Sequence, residues 1–295
     1  MAGNDWMSRL QDGLCINRIA IPGTHDTGAY QPPDWYSRPM TFAQHVNIPT
    51  QLGYGVRVLD LRVGGNWRMT NYDLYHGPFQ LPDSVDKVLT AVMTHLHNNP
   101  SEFIILLLKF EPWHGKDWSD HFNNYLNTTL GNYLFKRPGP NTMPRPARWP
   151  TVGELRGKVM VMSRFKKPHA DHYDTRAWSG NGKKIDLPSV GGGLSAEVQD
   201  LYDKPTFRTK QSAIRYSLAQ AKINVYRKQV RSKLYINFTS YVQNYTQPRD
   251  VGDGTNEWLM SISGDDHPMI GLICIDAAKA DIVEHIYTQN TPFFL

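Results

Sequence analysis

The feature that most constrains this chain is a repeated one: short apolar runs of strand length, each ending in polar or charged residues. Ile19, Ala20 and Ile21 lead into Pro22 and Gly23, which stop a strand, and then into Thr24, His25 and Asp26. Residues 55–63 alternate apolar and polar side chains and place Asp60 and Arg62 on one face. Residues 103–108 are apolar without interruption, the pattern of a strand covered on both faces, and Lys109 and Glu111 follow. Residues 158–163 end at Arg164, 234–238 at Thr239 and Ser240, and 270–275 at Asp276.

Helix signals separate these runs. Val85, Val88, Leu89, Val92 and Leu96 fall on one helical face, with Asp83 or Ser84 as cap and Asn98-Asn99-Pro100 as stop. Ile214, Leu218, Ala221 and Val225 mark a helix within 208–230, and 277–287 reads as a closing helix. Residues 112–157 read as a long loop with short helical pieces. Residues 168–194 read as irregular, and the stretch after Ser240 as a loop of Asp, Gly, Asn and Pro. Strands and helices that alternate, with polar groups at strand ends, predict an α/β barrel whose site lies at the carboxyl ends of its strands. A doubly wound open sheet is the alternative. It carries a G-x-G-x-x-G turn after its first strand, and Gly23 and Gly28 do not form one.

With 295 residues, 40% hydrophobic and 20% charged, the chain is expected to be one globular barrel domain over 1–295. No run approaches the ~18 apolar residues of a membrane span. The first residues lack a basic segment followed by an apolar one, so the chain is expected to be either cytosolic or a secreted protein cloned without its leader. The net charge of +5 favours anionic partners, a phosphate ester or an acidic lipid surface among them. Much of the excess lies between Lys204 and Lys233, which reads equally as a solvated helix face or a binding surface. Cys15 and Cys274 form no Cys-x-x-Cys pair and read as two free thiols, a bridge being the alternative.

Two histidines near strand ends, an arginine and carboxylates point to acid–base chemistry on a phosphate ester. One imidazole takes a proton from the attacking hydroxyl and the other gives one to the leaving oxygen. An arginine offsets charge on the non-bridging oxygens, and a carboxylate fixes the tautomer of the base.

Seven stretches, in order, resemble bacterial phosphatidylinositol-specific phospholipase C. They are Ile21-Pro22-Gly23-Thr24-His25-Asp26-Thr27-Gly28, Leu59-Asp60-Leu61-Arg62, His76-Gly77-Pro78, Asn99-Pro100-Ser101-Glu102, Lys109 with Glu111, Val198-Gln199-Asp200-Leu201-Tyr202, and Leu234-Tyr235-Ile236-Asn237-Phe238-Thr239-Ser240. The resemblance implies a distorted TIM-type (β/α) barrel and a metal-independent lyase without cofactor. It implies His25 as general base on the inositol 2-hydroxyl, oriented by Asp276. It implies His76 as general acid for the diacylglycerol oxygen, assisted by Asp26, and Arg62 on the phosphate. Lys109, Glu111, Arg164, Asp200 and Tyr202 are then the inositol pocket. Phe110 and Leu201 stand where charged or polar residues are common in the family, and Gly191, Gly192 and Gly193 depart from its loop.

The implied partner is phosphatidylinositol in a membrane, with glycosylphosphatidylinositol anchors as further substrates, no nucleic acid, and a monomeric enzyme. Trp35 and Tyr36 after the first strand, and Tyr241 and Tyr245 after 234–238, are the aromatic residues expected at a lipid-facing rim. Two competing functions are a calcium-dependent phospholipase C or glycerophosphodiester phosphodiesterase, and a non-catalytic inositide-binding barrel. The first needs a carboxylate cluster, and Arg62 stands where a second ligand after Asp60 is expected. The second needs no acid–base pair.

Overall fold

In a computed structural model, which describes residues 3–31, 41–65, 71–111, 118–139, 141–226, 232–242, 248–262 and 268–295, one sheet runs through the molecule. In chain order the elements are β1 (Ala20–Thr24), α1 (Ile48–Tyr54), β2 (Val58–Gly65), the β3 (Tyr72–His76) and β4 (Phe79–Ser84) hairpin, α2 (Val85–Asn98) and β5 (Ile104–Phe110). Then come α3 (Ser119–Leu130), the single turn α4 (Val152–Leu155), β6 (Val159–Ser163), β7 (Tyr173–Asp174), β8 (Gly182–Gly191) and β9 (Leu194–Asp200). α5 (Phe207–Tyr226), β10 (Lys233–Phe238), α6 (Pro248–Ser261), β11 (Gly271–Ile275) and α7 (Ala280–Thr288) complete the chain.

The strand order is β7-β6-β5-β2-β1-β11-β10-β9-β8, with β3 and β4 hung from β2. β1 therefore pairs in parallel with β2 on one side and with the last strand, β11, on the other. That closure of first strand on last makes a barrel rather than an open sheet. The barrel is distorted in two ways. β8 runs antiparallel to β9, and among the described residues no ladder joins β7 to β8. The strand interiors explain the closure: all five residues of β1 and of β11 are buried, as are Ile104 to Leu108 of β5, so both faces of these strands are covered.

The apolar periodicities locate most elements. α2 runs 85–98 with Ser84 as its cap, its hydroxyl accepting from the Lys87 amide, while Asp83 pairs with Lys87. α5 spans 207–226 of the expected 208–230, and residues 227–231 lie outside the described ones. Three segments differ from expectation. Residues 168–194 contain the ten-residue strand β8, whose inward Ile185 and Leu187 alternate before Pro188 breaks the pattern. The stretch after Ser240 contains α6, which tolerates Pro248 at its first turn and buries Val251, Gly252, Thr255, Asn256 and Leu259, a face too polar to read as apolar. Residues 112–157 contain α3, where Phe122, Leu126 and Leu130 form a narrow buried stripe. Cys15 and Cys274 are both free.

The amino-terminal end of the barrel is sealed by a buried ion pair. The Arg57 Nε donates to Glu102 Oε2 at 2.7 Å, with both side chains wholly buried. The remaining Arg57 nitrogens donate to the carbonyls of Leu52, Val56, Gly3 and Asn4, and Glu102 Oε1 accepts the Met7 amide. This ties the first residues across the strand ends. Replacing Glu102 with Ala leaves a buried guanidinium without its counter-charge, so Glu102→Ala should cost about 3–5 kcal/mol of unfolding free energy in a urea titration. A loss below about 1 kcal/mol would show that the seal does not depend on this pair.

Candidate active site

Strand register brings the polar ends together. Thr24 of β1 pairs with Leu59 of β2 and with Ile275 of β11. The next residue on each strand, His25, Asp60 and Asp276, therefore comes to one level at the carboxyl end of the barrel. In β2 and β5, Arg62 pairs with Lys109, and Leu108 pairs with Ser163, which precedes Arg164. Asp26 adopts a positive φ of 40°, a conformation that aspartate tolerates better than most residues, and its amide donates to Asp60 Oδ2 at 3.2 Å. The kink turns Asp26 back toward the barrel axis.

Asp26 is the hub. Its Oδ1 forms an ion pair with Arg62, 2.9 Å from Nε. Its Oδ2 lies 2.8 Å from His76 Nε2 and 3.2 Å from His25 Nε2. Arg62 Nη2 also lies 3.3 Å from His25 Nε2. On its other side, His25 Nδ1 meets Asp276 Oδ1 at 2.9 Å. Two imidazoles and a guanidinium thus converge on one carboxylate, with a second carboxylate behind one imidazole. His25, Arg62, His76 and Asp276 line a cavity of about 220 Å³ together with Lys109, Arg164, Asp200 and Tyr202, and Asp26 lies behind them.

The electrostatics follow from this packing. Burial alone lowers the pKa of His25, but the Asp26 and Asp276 carboxylates outweigh it and raise the imidazole to about 9. Burial works to raise Asp26, yet Arg62, His25 and His76 hold it well below the usual carboxylate range. Asp60 is raised by burial and by the neighbouring Asp26 charge. The base of the cavity therefore sets the Arg62 guanidinium and the His25 imidazole among carboxylates, with both cations facing the cavity.

Sequence reasoning names most of these side chains, and the fold gathers His25, Asp26, Arg62, His76, Asp276, Lys109, Arg164, Asp200 and Tyr202 at one cavity. Glu111 is not among the lining side chains; its carboxylate holds the Lys109 ammonium beside the cavity. Tyr241, expected at a lipid-facing rim, is 5% exposed; it lines the cavity wall and stacks on Phe207, so its ring is not available to lipid. Trp35, Tyr36 and Tyr245 lie outside the described residues. The exposed apolar groups at the mouth are instead Tyr202 and Val242, joined by the Val242 amide donating to the Tyr202 carbonyl.

Asp60, which the sequence marks as a strand-face neighbour of Arg62 and as the place of a metal ligand in the calcium-dependent alternative, is assigned no role in the site by sequence reasoning, and three further contributors escape it: Gln44, Trp178, and the Gly252–Asn256 face of α6. The Gln44 amide donates to the carbonyls of His25 and Ile275 and accepts from Ala278, locking β1 to β11 beneath the site. The Trp178 indole donates to Asp200 Oδ2 at 3.1 Å, and the Arg164 guanidinium lies over the same ring at 4.3 Å. Gly252 of α6 lies so close to Asp276 that an added Cβ would stand 2.6 Å from its Cβ, and Asn256 donates to the Asp276 carbonyl. Strand-end patterning finds Asp60; nothing local to the other three marks them.

The carboxylate cluster also bears on metal binding. His25, Asp26 and Asp60 offer ligand atoms within 4.8 Å of one another, a spacing that suits a divalent cation. Arg62 sits against the same cluster, its guanidinium on Asp26 and near His25.

Residues 36–165 match the family model described as phosphatidylinositol-specific phospholipase C, X domain. The chain is 26% identical over 291 residues to a 1-phosphatidylinositol phosphodiesterase of Listeria monocytogenes, covering 97% of this chain and 84% of that one. It is 27% identical over 248 residues to a protein of the same name from Staphylococcus aureus, covering 80% of this chain and 74% of that one. Among solved structures, the Listeria monocytogenes phosphatidylinositol-specific phospholipase C superposes with a TM-score of 0.74 at 26% identity, covering 98% of each chain. The Staphylococcus aureus enzyme reaches 0.83 at 22% identity, covering 96% of this chain and 97% of that one.

The hub makes a testable electrostatic statement. In a pH series followed by NMR, the His25 ring should titrate well above an ordinary histidine, toward about 9. Asp276→Asn removes a charge that favours the imidazolium, so its midpoint should move down. A His25 midpoint that is the same in the variant would show that Asp276 does not set its protonation.

Proposed function

We infer that the chain belongs to the bacterial phosphatidylinositol-specific phospholipase C family and cleaves phosphatidylinositol to diacylglycerol and inositol 1,2-cyclic phosphate. The observation that carries this reading is the convergence of His25, His76 and Arg62 on Asp26 at the base of one cavity. In the proposed reaction His25, in its neutral form, takes the proton of the inositol 2-hydroxyl, and that oxygen attacks phosphorus. The bond from phosphorus to the diacylglycerol oxygen breaks, and His76 gives that oxygen a proton. Arg62 donates to the non-bridging oxygens as charge develops there. Asp276 holds the far nitrogen of His25, fixing the ring and its tautomer. Lys109, Arg164, Asp200 and Tyr202 face the inositol hydroxyls, and a pocket of such groups rejects headgroups that leave them unpaired.

We propose further that the reaction needs no metal, because Arg62 supplies the charge at the cluster where an ion would bind. Product analysis on phosphatidylinositol should find cyclic phosphate and diacylglycerol, with the rate unchanged by excess chelator. His25→Ala and His76→Ala should each lower turnover by at least ~10²-fold. Activity lost with chelator and restored by calcium would replace this reading with the calcium-dependent one.

Among the described residues no helix is long and apolar enough to cross a membrane. We propose that the enzyme meets its lipid from water through the cavity rim. Val242, 47% exposed beside Tyr202 at the mouth, supports this reading. Trp35, Tyr36 and Tyr245 remain proposed partners in that contact. Val242→Ser together with Trp35→Ala should weaken binding to phosphatidylinositol-containing vesicles while leaving hydrolysis of soluble inositol cyclic phosphate nearly unchanged. Equal loss in both assays would move the docking surface elsewhere.

A further inference from the structure

Lys210, on the inner face of α5, is wholly buried, a rare state for a lysine. Its ammonium meets no carboxylate at ion-pair distance among the described residues. Its partners are neutral oxygens: Gln199 Oε1 at 3.0 Å and the Leu201 carbonyl at 2.9 Å. Gln199 is wholly buried too, and each end of its amide is engaged. The same Oε1 accepts the Leu201 amide at 3.1 Å, and Nε2 donates to the Phe238 carbonyl at 3.1 Å. Lys210 and Gln199 therefore join three elements: the end of β9, the end of β10, and the helix between them in the chain.

What this junction presents is the headgroup side of the cavity. Asp200 lies between Gln199 and Leu201, and Tyr202 is the next residue; both line the cavity. Phe238, whose carbonyl is held, packs against Trp178 at 5.2 Å and edge-on to His25 at 5.8 Å. Trp178 in turn holds Asp200 and lies against Arg164. Burial pushes the Lys210 ammonium down to about 7, against the opposing pull of Asp200 and Asp276. An apolar side chain of similar length would fill the same space but could not bond Gln199 and the Leu201 carbonyl, so what the lysine adds is a tie to the neighbouring strand end.

We propose that Lys210 and Gln199 form a clamp that sets Asp200 and Tyr202 against the inositol ring, making Lys210 a positioning residue for headgroup recognition. The clamp rests on the phosphatidylinositol reading above. It acts on binding rather than on proton transfer, because its direct contacts are to the backbone around Asp200 and to the carbonyl of Phe238, not to His25, His76 or Arg62.

The test uses the full chain with a short-chain phosphatidylinositol kept below its micelle concentration, and free myo-inositol as competitor. Lys210→Met and Gln199→Met should each raise KM and the myo-inositol inhibition constant by about tenfold, the effect of losing one charge-assisted hydrogen bond, while kcat falls by a smaller factor. The double variant should be no worse than the worse single one, since each change breaks the same junction. Thermal melts establish that each variant is folded; if Gln199→Met, which leaves the buried ammonium short of a partner, does not fold, Lys210→Met, which removes that charge, carries the test. Unchanged KM and inhibition constant, a fall in kcat alone, or multiplying effects in the double variant would overturn the clamp. Failure of the unaltered protein to release diacylglycerol from this lipid would instead overturn the reading on which it rests.

Discussion

One buried carboxylate organises this molecule's chemistry. Asp26 is nearly inaccessible to solvent and holds Arg62, His25 and His76 on its two oxygens. A lone carboxylate in that position would be costly, and a lone guanidinium or imidazolium equally so. Together they offset one another, and the offset requires every partner to be in place. The barrel meets that requirement by register: Thr24, Leu59 and Ile275 align, so their successors align, and the kink at Asp26 brings its side chain in among them. Gln44 and α6 then fix the turn from outside, Gln44 by bridging β1 and β11, and Gly252 by letting a helix lie against Asp276.

How much of this was legible in the sequence depends on how local the signal is. The runs that became β1, β5, β6, β10 and β11 are apolar because both faces of each strand are covered, and their ends are polar because they open on the cavity. That pairing of signals located His25, Arg62, Lys109, Arg164 and Asp276 with no knowledge of the fold. β8 was missed because it is an edge strand with one face in the core, and Lys183, Lys184 and Pro188 interrupt its pattern. α6 was missed because two glycines and a polar buried face conceal its period. Gln44, Trp178 and Lys210 were missed for a different reason: Gln44 acts on a strand 231 residues away, and Trp178 and Lys210 act through side-chain contacts that no local periodicity marks.

Tyr241 shows the converse error. Its place just after a strand end made it a rim candidate, and the rim is indeed close. Yet α5 enters beside it, and Phe207 stacks on its ring, so the tyrosine becomes wall. The adjacent residue, Val242, is the one left at the surface. Along an irregular segment, successive side chains exchange inside for outside within one residue, and aromatic character alone does not decide which faces water.

The two ends of the barrel each bury an arginine against a carboxylate, and the difference between them separates architecture from chemistry. At the amino-terminal end, Arg57 gives one hydrogen bond to Glu102 and four to backbone carbonyls, so its full set of five donors is spent within the protein. Nothing is left to meet a ligand, and the pair serves to hold the first residues across the strand ends. At the carboxyl end, Arg62 has two contacts among the described residues, Nε to Asp26 and Nη2 to His25, and its side chain faces the cavity. Its other donors are free for an anion that arrives there, and the histidine nitrogens that lean on Asp26 are likewise able to change partner. An arginine whose donors are all satisfied stabilises a fold; one held by a single edge, at the base of an open cavity, is poised to act on what enters it.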